Sequence, residues 1–530
     1  MTFKNPLHLR VLMELRPALD GLYGIPQETR LLFDLLTSAK EIELTGLLQM
    51  STRLVYDGSS QDMFLHPDET LFRNAQTLVT LKGRRTLGWQ GEVSECVRRS
   101  WIAWRLRLSA WLGLGRVSVG NLDAHRFTDF IWQEIFALSL PARSREKVLQ
   151  CNYRVCSAPW KQMHIVGLGR ARWLQYARYP LLDTSDVDVL IAQTPFPGRV
   201  TPNTRMVVHY HDAVPIFMPH TISDRAFHQA SHYHALTANV RDGAYFVCVS
   251  EATRSDLLSL FPNISERTQV IHNILPEHYK PAEPEPERIP DFVRRYTYDQ
   301  FIAKAGGKMN ELSKTFQLGR AFNSWDAKTA FYAEKLGART RFMLMVSTIE
   351  PRKNHLRLLE AYEVIRSTID ANLKLILVGN IGWSYETILE AFLPWIEQGS
   401  LFLLHGVPPD ALRLLYRQAV VTVCPSVGEG FDFSGAEAMR CGGVVAASDI
   451  PVHREIYGNA AEYFNPYDTA SVVYTLRQII YSADAETIQT RLRNDGLQQS
   501  ARYLPEYILP QWETFLRRLK PGGKQIITSS

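Results

Sequence analysis

Two carboxylates eight residues apart, Glu429 and Glu437, stand either side of a Gly-aromatic turn in Val427-Gly-Glu-Gly-Phe-Asp-Phe-Ser-Gly-Ala-Glu-Ala-Met439. They can clamp a ligand or punctuate a helix. Ser434-Gly-Ala-Glu437 has the spacing of a capping box, in which the serine accepts from the amide three residues on and the glutamate reaches back. That accounts for Glu437 with no ligand at all. It does not account for Glu429, which lies in the turn outside the helix beside Gly430, and whose loss is therefore expected to leave folding nearly untouched.

Three further stretches place polar groups where an apolar run ends. In Val346-Ser-Thr-Ile-Glu-Pro-Arg-Lys-Asn-His355, Arg352 and Lys353 sit before a helical pattern, and two cations there oppose the helix dipole unless something anionic lies between them. In Leu19-Asp-Gly21-Leu-Tyr-Gly24-Ile-Pro26 two glycines allow close approach and Pro26 suits a first helical position, so free amides could hold a phosphate; an ordinary turn uses the same residues. In Val207-Val-His209-Tyr-His211-Asp212 a polar cluster ends a strand at the edge where open α/β sheets bind ligands. Asp212 either orients an imidazole there or caps a turn. Asp186-Val-Asp188 precedes its apolar run, which is the wrong end for a metal-binding Asp-x-Asp, and Gly167-Leu-Gly169 lacks the third glycine of a dinucleotide site. No stretch has metal-ligand spacing, so no metal is assigned.

The elements that must carry these residues follow from apolar runs of four to seven residues alternating with helical patterns, the signature of parallel sheets covered by helices. At 530 residues the chain exceeds one core, so two such domains are expected. The boundaries read as 1–278 for the first domain, with an insertion at about 60–165, and 279–338 for a proline-rich linker and helical insertion. The second domain spans 339–503 and a last helix and tail 504–530. A net charge of +5 is too mild to argue for nucleic acid, the six cysteines are scattered, and the N-terminus reads neither as a secretion leader nor as a membrane span. The chain is therefore expected in the cytoplasm, at most peripheral on a membrane. In Arg98-Arg-Ser-Trp-Ile-Ala-Trp-Arg-Leu-Arg-Leu-Ser-Ala-Trp-Leu-Gly-Leu-Gly-Arg116, the residues Trp101, Trp104, Leu108, Trp111 and Leu112 share one helical face flanked by arginines. That stripe either lies in a lipid interface or packs on the protein itself.

Taken in order, these sites resemble retaining glycosyltransferases of family 4. The resemblance rests on Glu429-Gly-Phe431 through Glu437, on Glu350-Pro-Arg-Lys-Asn354 and on Val249-Ser-Glu-Ala-Thr-Arg254. The runs Ser448-Asp-Ile-Pro-Val-His-Arg-Glu455 and Tyr463-Phe-Asn-Pro-Tyr-Asp468 look like bacterial mannosyl- and rhamnosyltransferases of surface-polysaccharide synthesis. It implies the GT-B fold, two Rossmann-like, doubly wound parallel-sheet domains facing a cleft, here with mostly helical insertions. Glu429 would bond the donor-sugar hydroxyls, Gly430 and Phe431 would offer backbone amides to sugar and phosphate, and Glu437 would hold the ribose. Lys353 and Arg352 would neutralise the diphosphate, which Gly21 and Gly24 would approach from the other domain, while His211, beside Asp212, would face the reacting sugar. Ser426 and Asp432 complete the implied donor site, Asp432 departing from the family pattern, as Ser347-Thr348 does where a Gly-Arg is common. The donor would be a nucleotide sugar, GDP-linked mannose or D-rhamnose, used without a metal or other cofactor, and the acceptor a glycan or polyprenyl-linked glycan, with membrane contact through 98–116 and no nucleic acid. The alternative class is a catalytically impaired nucleotide-sugar-binding scaffold of a polysaccharide-assembly complex, favoured by those two departures; a nucleotide-sugar epimerase stands further off.

Overall fold

The computed structural model describes residues 8–520 apart from 22–23, 57–65, 83–88, 302–319, 338–339 and positions 175, 223, 282 and 299. The polypeptide divides into two compact units. The first holds the chain up to Pro219, Asp224–Pro276 and the chain from Pro505; the second holds His220–Ser223 and Glu277–Leu504.

The first unit is built on eight strands, β1 (Leu9–Glu14), β2 (Ile42–Leu48), β3 (Val119–Leu122), β4 (Asn152–Cys156), β5 (Val189–Ala192), β6 (Arg205–Tyr210), β7 (Tyr245–Cys248) and β8 (Thr268–Val270). They lie in the order β3-β4-β2-β1-β5-β6-β7-β8, parallel throughout except that β3 runs against β4. Successive side chains of a strand point to opposite faces. Val11, Met13, Ile191 and Val207 accordingly enter one apolar layer, and Leu12, Leu190, Val208 and Tyr210 the other. Both faces are covered, which is why strands such as Val189-Leu-Ile-Ala192 are apolar along their whole length. The last helix, Pro505–Arg518, lays Ile508, Trp512 and Phe515 into the first of these layers.

The stretch 60–165 is not wholly an insertion. It supplies β3 and β4, and β4 pairs in parallel with β2, so the sheet continues through the segment that breaks the strand-helix rhythm. What interrupts the sheet is the helical part, Pro67–Lys82 and Trp89–Arg107.

In the second unit β9 (Gln300–Phe301) and β10 (Ala321–Phe322) form a small ribbon, and six strands form the sheet: β11 (Phe342–Val346), β12 (Lys374–Val378), β13 (Leu401–Leu404), β14 (Val421–Cys424), β15 (Val445–Ser448) and β16 (Ala461–Phe464). Their order is β13-β12-β11-β14-β15-β16, all parallel. The segment after residue 279 is tied to this sheet, since the Tyr298 amide donates to the Leu403 carbonyl at 3.0 Å and Tyr332 packs against Phe402. Part of that segment, 302–319, lies outside the described residues. In each unit the strand order reverses beside the first strand, between β1 and β5 and between β11 and β14. Such reversals open a crevice at the carboxyl edge of a doubly wound sheet.

Candidate active site

At the reversal of the second sheet, the loop after β11 carries Glu350, Arg352 and Lys353, and the loop after β14 carries Ser426, Glu429 and Gly430. Three contacts stitch these loops together. The Val427 amide donates to the Arg352 carbonyl at 3.0 Å, Arg352 Nη1 donates to the Gly428 carbonyl at 2.8 Å, and Asn354 Nδ2 donates to the Pro425 carbonyl at 3.0 Å. On its other side the β11 loop is approached closely by the loop after β12, where Gly379 has no side chain: a Cβ there would stand 1.9 Å from the Ser347 carbonyl oxygen.

Glu429 lies between the two cations. Its Oε2 accepts from Arg352 Nη1 at 2.6 Å and its Oε1 from Lys353 Nζ. Arg352 also donates through Nη2 to Glu350 Oε1 at 2.8 Å, so its guanidinium is bracketed by two carboxylates. The Glu429 side chain is only 6% exposed. Burial alone would raise its pKa, but the charges of Arg352 and Lys353 outweigh that and hold it below the ordinary carboxylate value. For Glu350 the balance reverses, and burial pushes its pKa up against Arg352 and Lys353. Glu429 is therefore part of a buried ionic array, and the expectation that folding ignores its loss is corrected: removing one partner of such an array leaves buried charge uncompensated, at a cost of about 3–5 kcal/mol.

The capping box is likewise corrected. The residue capping the helix Phe433–Arg440 is Asp432, whose side chain accepts from the Ser434 amide at 3.2 Å and the Ser434 hydroxyl at 2.7 Å. Its backbone sits at a positive φ of 57°. The other carboxylate oxygen meets His453 Nε2 at 3.1 Å, while His453 Nδ1 meets the Ser448 carbonyl at 3.0 Å. Both ring nitrogens thus lie within hydrogen-bond distance of oxygens, which fixes the ring between the Ser448 carbonyl and Asp432. Burial works to raise the Asp432 pKa, but the His453 hydrogen bond and the charges of Lys353 and His453 hold it well below the carboxylate range. Both oxygens of Asp432 are thus engaged in folding contacts. Glu437, no longer needed as a cap, is buried on that helix and accepts from the Tyr416 hydroxyl at 3.0 Å. The Phe431 ring is buried, packed edge-on against Tyr503 and tilted against Phe433. Ser426, in the loop after β14, is buried as well.

The first unit places its predicted residues at the carboxyl edge of its own sheet. Gly24 takes φ +69° at the start of the helix Ile25–Thr37, where a Cβ would meet nothing within 4 Å, so the glycine answers to the backbone angle and not to crowding. The Gly21 carbonyl accepts from the buried Arg30 guanidinium, which ties the turn to the helix. Next to it Arg16 Nε donates to the buried Glu14 at 2.7 Å, and Glu14 Oε2 accepts from the Gln193 amide at 2.8 Å, joining the loops after β1 and β5. His211 follows β6 with its ring 4.4 Å from that of His209. Burial drives its pKa down to about 4 against the opposing pull of Asp212, so the imidazole is neutral at pH 7. Its Nε2 is buried with no hydrogen-bond partner among the described residues. Asp212 accepts from the Val214 amide at 3.1 Å and caps the following turn. Asp186 and Asp188 pair with Arg154 and Arg10 at the opposite end of the sheet. Among the described residues no group of three or more His, Cys, Asp or Glu is placed to hold a metal ion.

Three positioning residues escaped the sequence reading. Asn354 takes a left-handed conformation, φ 61°, and its amide spans the Pro425 and Pro466 carbonyls at 3.0 and 2.9 Å. An Asn just before a helical run was the one local signal. Tyr416 and His453 gave none, since their partners lie 21 residues away in each case.

Two doubly wound sheets in one chain, each with its polar loops at the strand reversal, define the GT-B class of fold, and the solved structures agree. A sucrose-phosphate synthase from Thermosynechococcus elongatus aligns with TM-score 0.55 over 97% of this chain and 99% of that one, at 13% identity. HepE of Anabaena, in complex with UDP and glucose, aligns with TM-score 0.53 over 96% and 99%, also at 13%. More particularly, the family model Glycosyl transferases group 1 matches residues 328–491. O-antigen chain mannosyltransferase B of Escherichia coli is 30% identical over 162 residues, 31% of this chain and 42% of that protein. O-antigen chain mannosyltransferase RfbU of Salmonella typhimurium is 26% identical over 242 residues, 42% of this chain and 64% of that protein.

Proposed function

We propose that the protein is a retaining glycosyltransferase that moves mannose from a nucleoside-diphosphate donor, GDP-linked, onto a glycan or polyprenyl-linked glycan of a bacterial surface polysaccharide. The observation that carries this reading is the array of Arg352, Lys353 and Glu429 at the strand reversal of the group 1 domain. A departing diphosphate develops negative charge, and two fixed cations stabilise it without a metal. Glu429, held ionised, accepts from donor-sugar hydroxyls, and Glu437 from the ribose. On the first sheet, the neutral His211 ring and the Gly24 turn serve the transfer step, and the acceptor's lipid end places the chain at a membrane surface. The names of the relatives support mannose and an O-antigen setting.

The scaffold reading loses one of its two supports. Asp432 spends one oxygen on His453 and the other on the helix cap, so neither is free to face a donor. Ser347-Thr348 in place of Gly-Arg remains. The two readings part when the protein is incubated with a panel of nucleotide sugars and nucleoside diphosphate release is followed with and without acceptor glycan. Acceptor-dependent GDP release from GDP-mannose is expected. Binding of a donor with no release on any acceptor refutes the enzyme.

A further inference from the structure

The Trp-Arg stripe faces outward. On the helix Trp89–Arg107 and the π-helical turn Leu108–Leu112 that continues it, Leu106 is 2% and Ala110 0% exposed, and with Ile102 they seat the helix on the first unit's core. On the other side Trp101 and Trp104 are 54% and 56% exposed. Val93 and Val97 continue the exposed row toward the N-terminus, and Leu112 ends it. The two alternatives therefore divide the stripe: Trp101, Trp104 and Leu112 are exposed, while Leu108 is half-buried and Trp111 lies against the neighbouring helix. The same face is extended by the neighbouring helix Trp160–Leu174: Trp111 Nε1 reaches the Val166 carbonyl at 3.5 Å, and Trp173 on that helix is exposed.

Charge decides what covers this surface. Between Cys96 and Leu122 the chain has five arginines and no acidic residue. Arg105 and Arg107 are exposed beside the tryptophans, and Arg116 pairs with Asp183 at 3.2 Å. A second copy of the chain docking face to face would set arginine against arginine. Sugar stacking on Trp101 is met by the Arg105 guanidinium, which already lies 4.7 Å from the ring centroid. An anionic bilayer satisfies both features: indoles and valines enter the headgroup boundary, and arginines remain with the phosphates. Among the described residues no helix is long and apolar enough to cross a membrane, so the contact would be interfacial.

We infer that this face, centred on Trp101, Trp104, Arg105 and Arg107, is a docking surface for anionic phospholipid. The inference deepens the membrane part of the proposed function and rests on it only there. It is tested by co-sedimentation with vesicles of phosphatidylcholine alone and of phosphatidylcholine with about 30% phosphatidylglycerol, at 0.1 and 0.5 M salt, on the full chain. The natural protein is expected to bind the anionic vesicles and to be released by salt. Trp101→Ser/Trp104→Ser and Arg105→Glu/Arg107→Glu are each expected to weaken binding by about tenfold or more while keeping the natural melting temperature. Trp111 is left in place because its ring packs on the neighbouring helix. Folded natural protein that ignores anionic vesicles overturns the inference, as does undiminished binding by both variants. So does a dimer in sedimentation velocity that the tryptophan variant dissolves while vesicle binding is absent. Nucleoside diphosphate release on a water-soluble acceptor is read in the same preparations, so failure of lipid binding and failure of the transfer reading are told apart.

Discussion

Glu429→Gln should tighten the binding of a free nucleoside diphosphate while abolishing sugar transfer. The carboxylate holds Lys353 on one side and Arg352 on the other, so a diphosphate approaching those cations competes with it. Removing its charge leaves Arg352 and Lys353 with Glu350 and, for Lys353, the nearby Asp432 as negative neighbours. With the phosphate about 6 Å from the carboxylate and an effective dielectric constant of about 20, one unit charge is worth about 3 kcal/mol at most. Screening and the freedom of Arg352 to swing fully toward Glu350 cut this to about 1 kcal/mol, or roughly five- to tenfold in affinity. The amide keeps the size and one acceptor, so the fold should survive with a loss of about 1–3 kcal/mol, where alanine would cost the whole of a broken buried array. Calorimetric titration with GDP and UDP measures the first effect, and GDP release from GDP-mannose in the presence of acceptor measures the second. A variant that binds GDP several-fold more weakly, yet is folded by denaturant titration, refutes the competition and makes Glu429 a prop for the cations. A variant that still transfers sugar at the natural rate refutes its role in the donor site altogether.

Asp432→Asn removes the negative half of the His453 pair and should cost about 2–4 kcal/mol in urea unfolding at pH 7. Because the Asp432 pKa is depressed, its stabilisation is complete above the unfolded carboxylate value of about 3.9 and is lost as pH falls further; natural protein and variant should converge in acid, and a constant gap would refute the pairing. Asn354→Ala loses two hydrogen bonds to carbonyls and places alanine at a positive φ, so it should destabilise by about 2–4 kcal/mol, and Asn354→Gly by about 1 kcal/mol less; equal losses would show that the angle is not maintained. In the first unit burial keeps His211 neutral down to about 4 and His232 down to about 3. The unfolded chain takes up those protons below about 6.5, so stability should fall as pH drops from 6.5 toward 4, and a melting temperature that is flat or rising between pH 7 and pH 5 would contradict this.

What could be read from the amino-acid order was whatever is written locally. The strand Phe342–Val346 is one apolar run, and the residues following it are polar because parallel strands buried on both faces leave only their ends for chemistry, so Lys353 and Glu429 could be nominated one loop at a time. The short β3 could not be read that way: four residues, Val-Gly-Asn-Leu, with an antiparallel partner 33 residues on, carry no signal that distinguishes them from a turn. The deeper failure concerns charge. Sequence places Arg352 and Lys353 side by side and asks for an anion, and the anion proves to be Glu429, 76 residues away from Lys353 and brought there by the β11–β14 pairing. A motif residue nominated as a free sugar ligand is thus also a counter-ion of Arg352 and Lys353, and a departure nominated as a burden on the donor, Asp432, is taken up by His453 and the helix cap. Neither reassignment changes which residues make up the proposed donor site. Both change what a substitution there measures, since losing Glu429 alters the charge that Arg352 and Lys353 present to any anion before a sugar is considered.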